Sequence, residues 1–178
     1  MKTLLITGGT GGLGTVVVEH LRREYDCRLV KADLTSEDEA ARALGTRAYG
    51  LVHLVGGFTT GDDAASWSQM LSLNLLTAVN AIRAAAPHLE DGGRIVAIGA
   101  YASISKPEGM PAYVVSKSAF NTVIELTARE LKSRHITVNA ILPVTLDDDL
   151  KRRVARTIAF LLSDEGAGTS GALLPALS

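Results

Sequence analysis

The segment Thr7 to Gly14, TGGTGGLG, joins a short apolar run to a stretch with apolar residues at helical spacing. Glycines in such a turn let the backbone bend tightly and approach a pyrophosphate, whose charge is met by free amides and the positive end of the helix dipole. Gly9, Gly11 and Gly14 satisfy the loose GxGxxG spacing of dinucleotide sites. The Gly-Lys-Ser/Thr ending of a triphosphate-binding loop is missing, which disfavours that chemistry. Asp33 follows about twenty residues after the last glycine, where a carboxylate can accept from ribose hydroxyls and repel a 2'-phosphate. Asp33 and Thr35 could equally cap the next helix.

Tyr113 and Lys117 are the second chemical pair. Four residues apart on a helix, they share a face and lie about 6 Å apart along the axis. A phenol ordinarily titrates near pH 10, too high for easy proton exchange with an alkoxide formed by hydride transfer. An adjacent ammonium favours the tyrosinate, and bringing the phenol towards neutrality takes about 4 kcal/mol of local electrostatics. Lys117, together with the cation of an oxidised nicotinamide, is expected to supply it. Taken alone, such a pair is more often a surface contact.

These residues need elements to hold them. Leu4, Leu5 and Ile6 read as a strand, and Leu13, Val16, Val17 and Leu21 as one face of a helix. Strands are then expected at Arg28 to Ala32, Gly50 to Val55, Arg94 to Ile98, Thr137 to Leu142 and Ala172 to Leu174. Helices are expected at Glu37 to Leu44, Trp67 to Ala86 (closed by Pro87), Pro111 to Ser133 and Leu150 to Leu162. Strands that are apolar throughout and alternate with helices call for an α/β fold, a Rossmann-type doubly wound parallel sheet with helices on both faces.

A chain of 178 residues fits one domain, and 47% hydrophobic with 21% charged residues is the balance of a globular protein. With 18 basic against 19 acidic residues, no field draws it to nucleic acid or anionic lipid. The N-terminal apolar run is too short for a signal core or a membrane span, so a cytoplasmic protein is expected. The single cysteine, Cys27, allows no internal disulfide, is expected to be a small core hydrophobe, and no metal site is expected. His53 reads as structural. The Asp147, Asp148, Asp149 run reads as a helix cap.

With these motifs in order, the chain strongly resembles the short-chain dehydrogenase/reductase family. Thr7, Gly8, Gly12 and Gly14 match its TGxxxGxG turn, AYVVSKSA its YxxxK segment, Asn74 in SLNLL its helix asparagine, and ITVNAILP the strand before the nicotinamide end. LVGGF and LPVTLD look like the dihydropteridine reductase subgroup. The resemblance implies hydride transfer between NAD or NADP and a small carbonyl or imine, with Asp33 slightly favouring NAD. Tyr113 would donate the proton, Lys117 would hold the ribose, and Asn74 would anchor a relay water. The implied cofactor contacts are Thr7, Gly8, Thr10, Gly12, Leu13 and Gly14 in the turn, Asp33 and Leu34, then Val55, Gly56 and Gly57, and finally Pro143, Val144 and Thr145, beside Tyr113 and Lys117.

The pattern fails in places. Ala100 stands where most members carry a catalytic serine, with Ser103 or Ser105 as a substitute or a turn residue. Asp148 stands where a threonine is common, with Thr145 as a substitute. Only one strand and one helix fit between Gly14 and His53, and the substrate-covering segment after Asp147 is nearly absent. A non-catalytic dinucleotide-binding regulator or scaffold is the competing expectation. Val79, Ile82, Val123 and Leu126 leave apolar surface that a homodimer or homotetramer would bury.

Overall fold

The computed structural model describes residues 1–177. Its centre is a six-stranded, all-parallel sheet in the order β2-β1-β3-β4-β5-β6. In chain order the elements are β1 (Lys2–Thr7), α1 (Gly12–Leu21), β2 (Tyr25–Val30), α2 (Glu37–Leu44) and β3 (Ala48–His53). Then come α3 (Ala64–Met70), a π-helical segment (Leu71–Leu76), α4 (Thr77–Ala85), β4 (Leu89–Ile98) and α5 (Ala102–Ser105). The chain ends with α6 (Pro111–Glu130), β5 (Thr137–Pro143), α7 (Asp148–Leu162) and β6 (Leu173–Ala176).

Side chains alternate across the strands and so build two cores, one on each face of the sheet. Leu5, Leu51, Ile95 and Val138 point to the layer of α2, α4 and α6, where Leu44, Ile82, Phe120 and Ile124 meet them. Leu4, Ile6, Val52, Val96 and Ile141 point to the other layer, formed by α1 and α7 through Val17, Leu21, Val154 and Ile158. The chain passes from one face to the other between β1 and β3, so the ends of these neighbouring strands open a crevice there.

Several expected boundaries move. β2 begins at Tyr25, before the expected Arg28, and ends at Val30. As an edge strand it mixes the charged Asp26 and Arg28 with a buried Tyr25 stacked on Tyr49, so it is no continuous apolar run. β3 leaves the sheet at His53, two residues early, because Leu54 and Val55 bend over the Gly8 backbone. The long helix starts at Ala64, where the Asp63 carboxylate accepts from the Ser66 amide, and is interrupted by the π segment. β4 starts at Leu89, α6 stops at Glu130, β6 occupies Leu173–Ala176, and α5 was not expected. α2 lies where the periodicity puts it, with Ser36 as its cap in place of Asp33 or Thr35.

Cys27 is partly buried on the edge strand, packed against the core shared with α1 and α7 and not fully inside it. Asp147 caps α7 as expected, accepting from the Leu150 amide at 2.7 Å. Ile82 belongs to the core, whereas Val79 and Val123, with Leu71 and Leu76, line an apolar groove of about 840 Å³ on the outer side of the π segment and α6. Leu126 is 51% exposed. No helix among the described residues is long and apolar enough to cross a membrane.

The turn after β1 tests this packing. A Cβ on Gly14 would collide with the Gly8 carbonyl and the Gly9 backbone, whereas one on Gly12 meets nothing within 4 Å. Gly14→Ala is therefore expected to lose about 2 kcal/mol or more in urea unfolding, and Gly12→Ala to be neutral or stabilising by up to about 1 kcal/mol.

Candidate active site

The first wall of the crevice comes from the glycine turn. Gly8 adopts φ +72°, and its Cα lies so close to the Leu54 carbonyl that any Cβ would come within 2.9 Å of it. The Gly11 amide donates to the Gly8 carbonyl at 3.1 Å and closes the turn. α1 then starts from Gly11 with no side-chain cap, so its first amides stay free for an anion. This close, side-chain-free approach fits a dinucleotide pyrophosphate.

Beneath the turn, Thr7 is buried, and its hydroxyl shares a 2.8 Å hydrogen bond with His53 Nδ1. His53 Nε2 is buried without a partner, and burial, then the Lys117 ammonium, push this ring down to about 3, so it stays neutral. The structural reading of His53 matches this environment.

The second wall is the strand exit Leu54 to Phe58, fixed by Asn74. The Asn74 side chain accepts from the Gly57 amide at 2.8 Å and donates to the Gly57 carbonyl at 3.0 Å and to Ser116 Oγ at 3.0 Å. Asn74 lies in the π-helical segment, where the Thr77 hydroxyl donates to the Leu73 carbonyl at 2.7 Å. The Asn74 carboxamide is committed to backbone and serine, while Gly56 passes so close that a Cβ would stand 2.9 Å from Asn74 Oδ1 and 3.1 Å from Lys117 Nζ.

α6 supplies the reactive pair. Tyr113 and Lys117 share the face that looks into a cleft of about 340 Å³. Lys117 is buried, donates to the Ile98 carbonyl at 3.2 Å, and is pushed down to about 8 by loss of solvent. Burial pushes the Tyr113 phenol above its ordinary value. The downward pull expected of Lys117 together with an oxidised nicotinamide concerns the loaded site; in the chain alone burial sets the direction. At neutral pH the phenol holds its proton.

Of the expected cofactor residues, Leu13, Val55, Gly56, Gly57, Pro143 and Val144 line this cleft with Tyr113 and Lys117. Thr7, Gly8 and Gly14 shape it from beneath, and Thr10, Gly12 and Thr145 lie exposed around the turns at the strand ends. Asp33 is exposed, and Thr35 holds its carboxyl below the usual range with a hydroxyl at 2.6 Å and an amide at 2.9 Å. Leu34 is buried in the core, its carbonyl accepting from Asn80 at 3.0 Å.

Neither serine replaces the one missing at Ala100. Ser103 is buried, donates to the Ala100 carbonyl at 2.6 Å and accepts from Asn121 at 2.8 Å. Ser105 bonds the Tyr101 carbonyl from an exposed position. Both brace α5, and neither lines the cleft. Phe58 and Leu146, which do line it, were not among the expected site residues, although an aromatic directly after Gly56 and Gly57 was a visible signal.

A doubly wound sheet with a glycine-rich turn at its switch point and a tyrosine and lysine in the crevice defines a dinucleotide-dependent oxidoreductase of Rossmann type. The chain belongs to the short-chain dehydrogenase/reductase family: the family model described as enoyl-(acyl carrier protein) reductase matches residues 12–153. The rhamnolipids biosynthesis 3-oxoacyl-[acyl-carrier-protein] reductase of Pseudomonas aeruginosa is 28% identical over 93% of this chain and 81% of its own length. The dihydropteridine reductase of Dictyostelium discoideum is 26% identical over 85% and 77%. A short-chain dehydrogenase/reductase of Serratia marcescens superposes with a TM-score of 0.89 at 26% identity, covering 99% of this chain and 95% of that one. The structure of BdcA in complex with NADPH shares the fold at 23% identity, with a TM-score of 0.88 over 99% and 93%.

The buried ammonium carries a pH signature. The Lys117 folded value lies below its unfolded one, so the cost of burying the charge is present in full below about pH 8 and disappears as pH rises through the unfolded value of 10.5. The stability of wild type relative to Lys117→Met is expected to rise by on the order of 3 kcal/mol between pH 8 and 10.5 and to be flat below pH 8, read from urea unfolding across pH.

Proposed function

We propose that this chain is an NAD(P)-dependent reductase that transfers a hydride to a small carbonyl or imine, with Tyr113 as the proton donor. The observation that carries the reading is the pairing of a phenol that keeps its proton with a buried lysine in one cleft. When bound, the cofactor supplies the hydride, and the substrate carbonyl gains it together with one proton to become an alcohol. The chain holds the rest. The amides of the turn receive phosphate, Lys117 brings a positive charge to the cleft into which Tyr113 also faces, where it favours the phenolate left after proton donation, and Asn74 keeps Gly57 in place. Tyr113→Phe is expected to reduce turnover about a hundredfold or more while leaving cofactor affinity unchanged. Steady-state rates with NADH over a carbonyl panel that includes quinonoid dihydropterins, beside calorimetric cofactor titration, check it, and equal rates would remove the catalytic role.

We also propose NADH as the preferred cofactor. Thr35 occupies one Asp33 oxygen and keeps the carboxylate charged, leaving the other oxygen without a protein donor among the described residues. That carboxylate suits ribose hydroxyls and repels a 2'-phosphate. NADH is expected to bind at least about tenfold tighter than NADPH, and Asp33→Asn to narrow the gap in the same titration.

The second reading is a dinucleotide-binding regulator without turnover. It is favoured by Ala100, beside which both serine hydroxyls are committed to backbone and Asn121. One relative, 27% identical, is named a cyclic-di-GMP-binding biofilm dispersal mediator in Escherichia coli. Cofactor binding in calorimetry with no substrate consumed by wild type would favour that reading.

A further inference from the structure

Phe58 stands in the cleft in an unusual state. Its ring packs edge-to-face on Tyr113, with centroids 5.0 Å apart and planes at 83°, yet 60% of the residue remains exposed. The ring is not on a free loop. The peptide before it is bonded at both its amide and its carbonyl by Asn74, and a Cβ on Gly57 would come within 2.9 Å of Leu73 Cδ1. An aromatic face is thus held open beside the proton donor at fixed geometry.

The remaining lining narrows what this face can serve. Val144 and Leu146, 51% and 37% exposed, line the same cleft. Tyr113 and Lys117 are its only polar side chains among the described residues. With the cofactor in place, a substrate here meets one proton donor beside the apolar Phe58 and Leu146, which suits a flat conjugated ring better than an open chain with several polar groups.

We propose that Phe58 determines specificity: it selects planar, conjugated ring carbonyls or imines over open-chain keto compounds by stacking, with the reacting atom brought to the Tyr113 hydroxyl. This rests on the reductase reading above. Phe58 acts on substrate binding and takes no part in proton transfer.

The test compares menadione, a planar two-ring quinone, with ethyl acetoacetate, an open-chain keto ester, using NADH and the whole chain. Phe58→Ala is expected to raise KM for menadione about tenfold and to change KM for ethyl acetoacetate by no more than about twofold. Phe58→Trp restores the menadione KM. Equal changes for both substrates, or none, overturn the proposal. Calorimetry of 2-naphthol, an unreactive flat ring, with the NADH-loaded protein separates this from failure of the reductase reading. Binding weakened about tenfold by Phe58→Ala, without reduction of either substrate, keeps the selection and removes the reductase. If wild type does not bind 2-naphthol, the proposal itself fails.

Discussion

A lysine ammonium buried between a parallel sheet and a helix is the constraint around which this molecule is arranged. Burial alone drives Lys117 towards its neutral form. The chain offsets part of that cost with the Ile98 carbonyl at the end of β4 and the Phe120 ring, 5.5 Å from Nζ to centroid. The first partner depends on long-range structure, since Ile98 ends a central strand, whereas Phe120 follows Lys117 by three residues on α6 and turns into the core. A surface helix with the same Tyr-x-x-x-Lys spacing would leave the amine in water and the phenol without this environment.

The rest of the cleft follows from packing against that charge. Gly56 must lack a side chain because the amine and the Asn74 oxygen lie directly below it. Asn74 sits in the π turn, and from there it fixes Gly57 and the direction in which Phe58 leaves the strand. Stability and chemistry are opposed here, as is common where a site needs a charge in a dry place. With Ala100 offering no hydroxyl, the polar contacts of the cleft are concentrated on Tyr113 and Lys117.

Features with local causes were legible in the sequence. The glycine turn, the helix α2 with its acidic first turn, the Asp147 cap and the Tyr113–Lys117 spacing all follow from residues within a few positions of one another. Features set by distant partners were not. β2 alternates because it is an edge strand, the π turn at Leu71–Leu76 has no local signature, and the task of Ser103 depends on Asn121 in the next helix. The burial of Tyr113 belongs with these, since spacing reports a neighbouring charge but not the loss of solvent. Phe58 ends the family-like phrase LVGGF, but only the fold shows its ring against the tyrosine.

Direct titration of the Lys117 side chain by NMR, in protein carrying isotope-labelled lysine and assigned with Lys117→Arg, reads the central interaction itself. A midpoint near pH 8 is the expected result. A midpoint at the ordinary lysine value of 10.5 would mean that the amine is solvated, and the account of the cleft built around it would be contradicted.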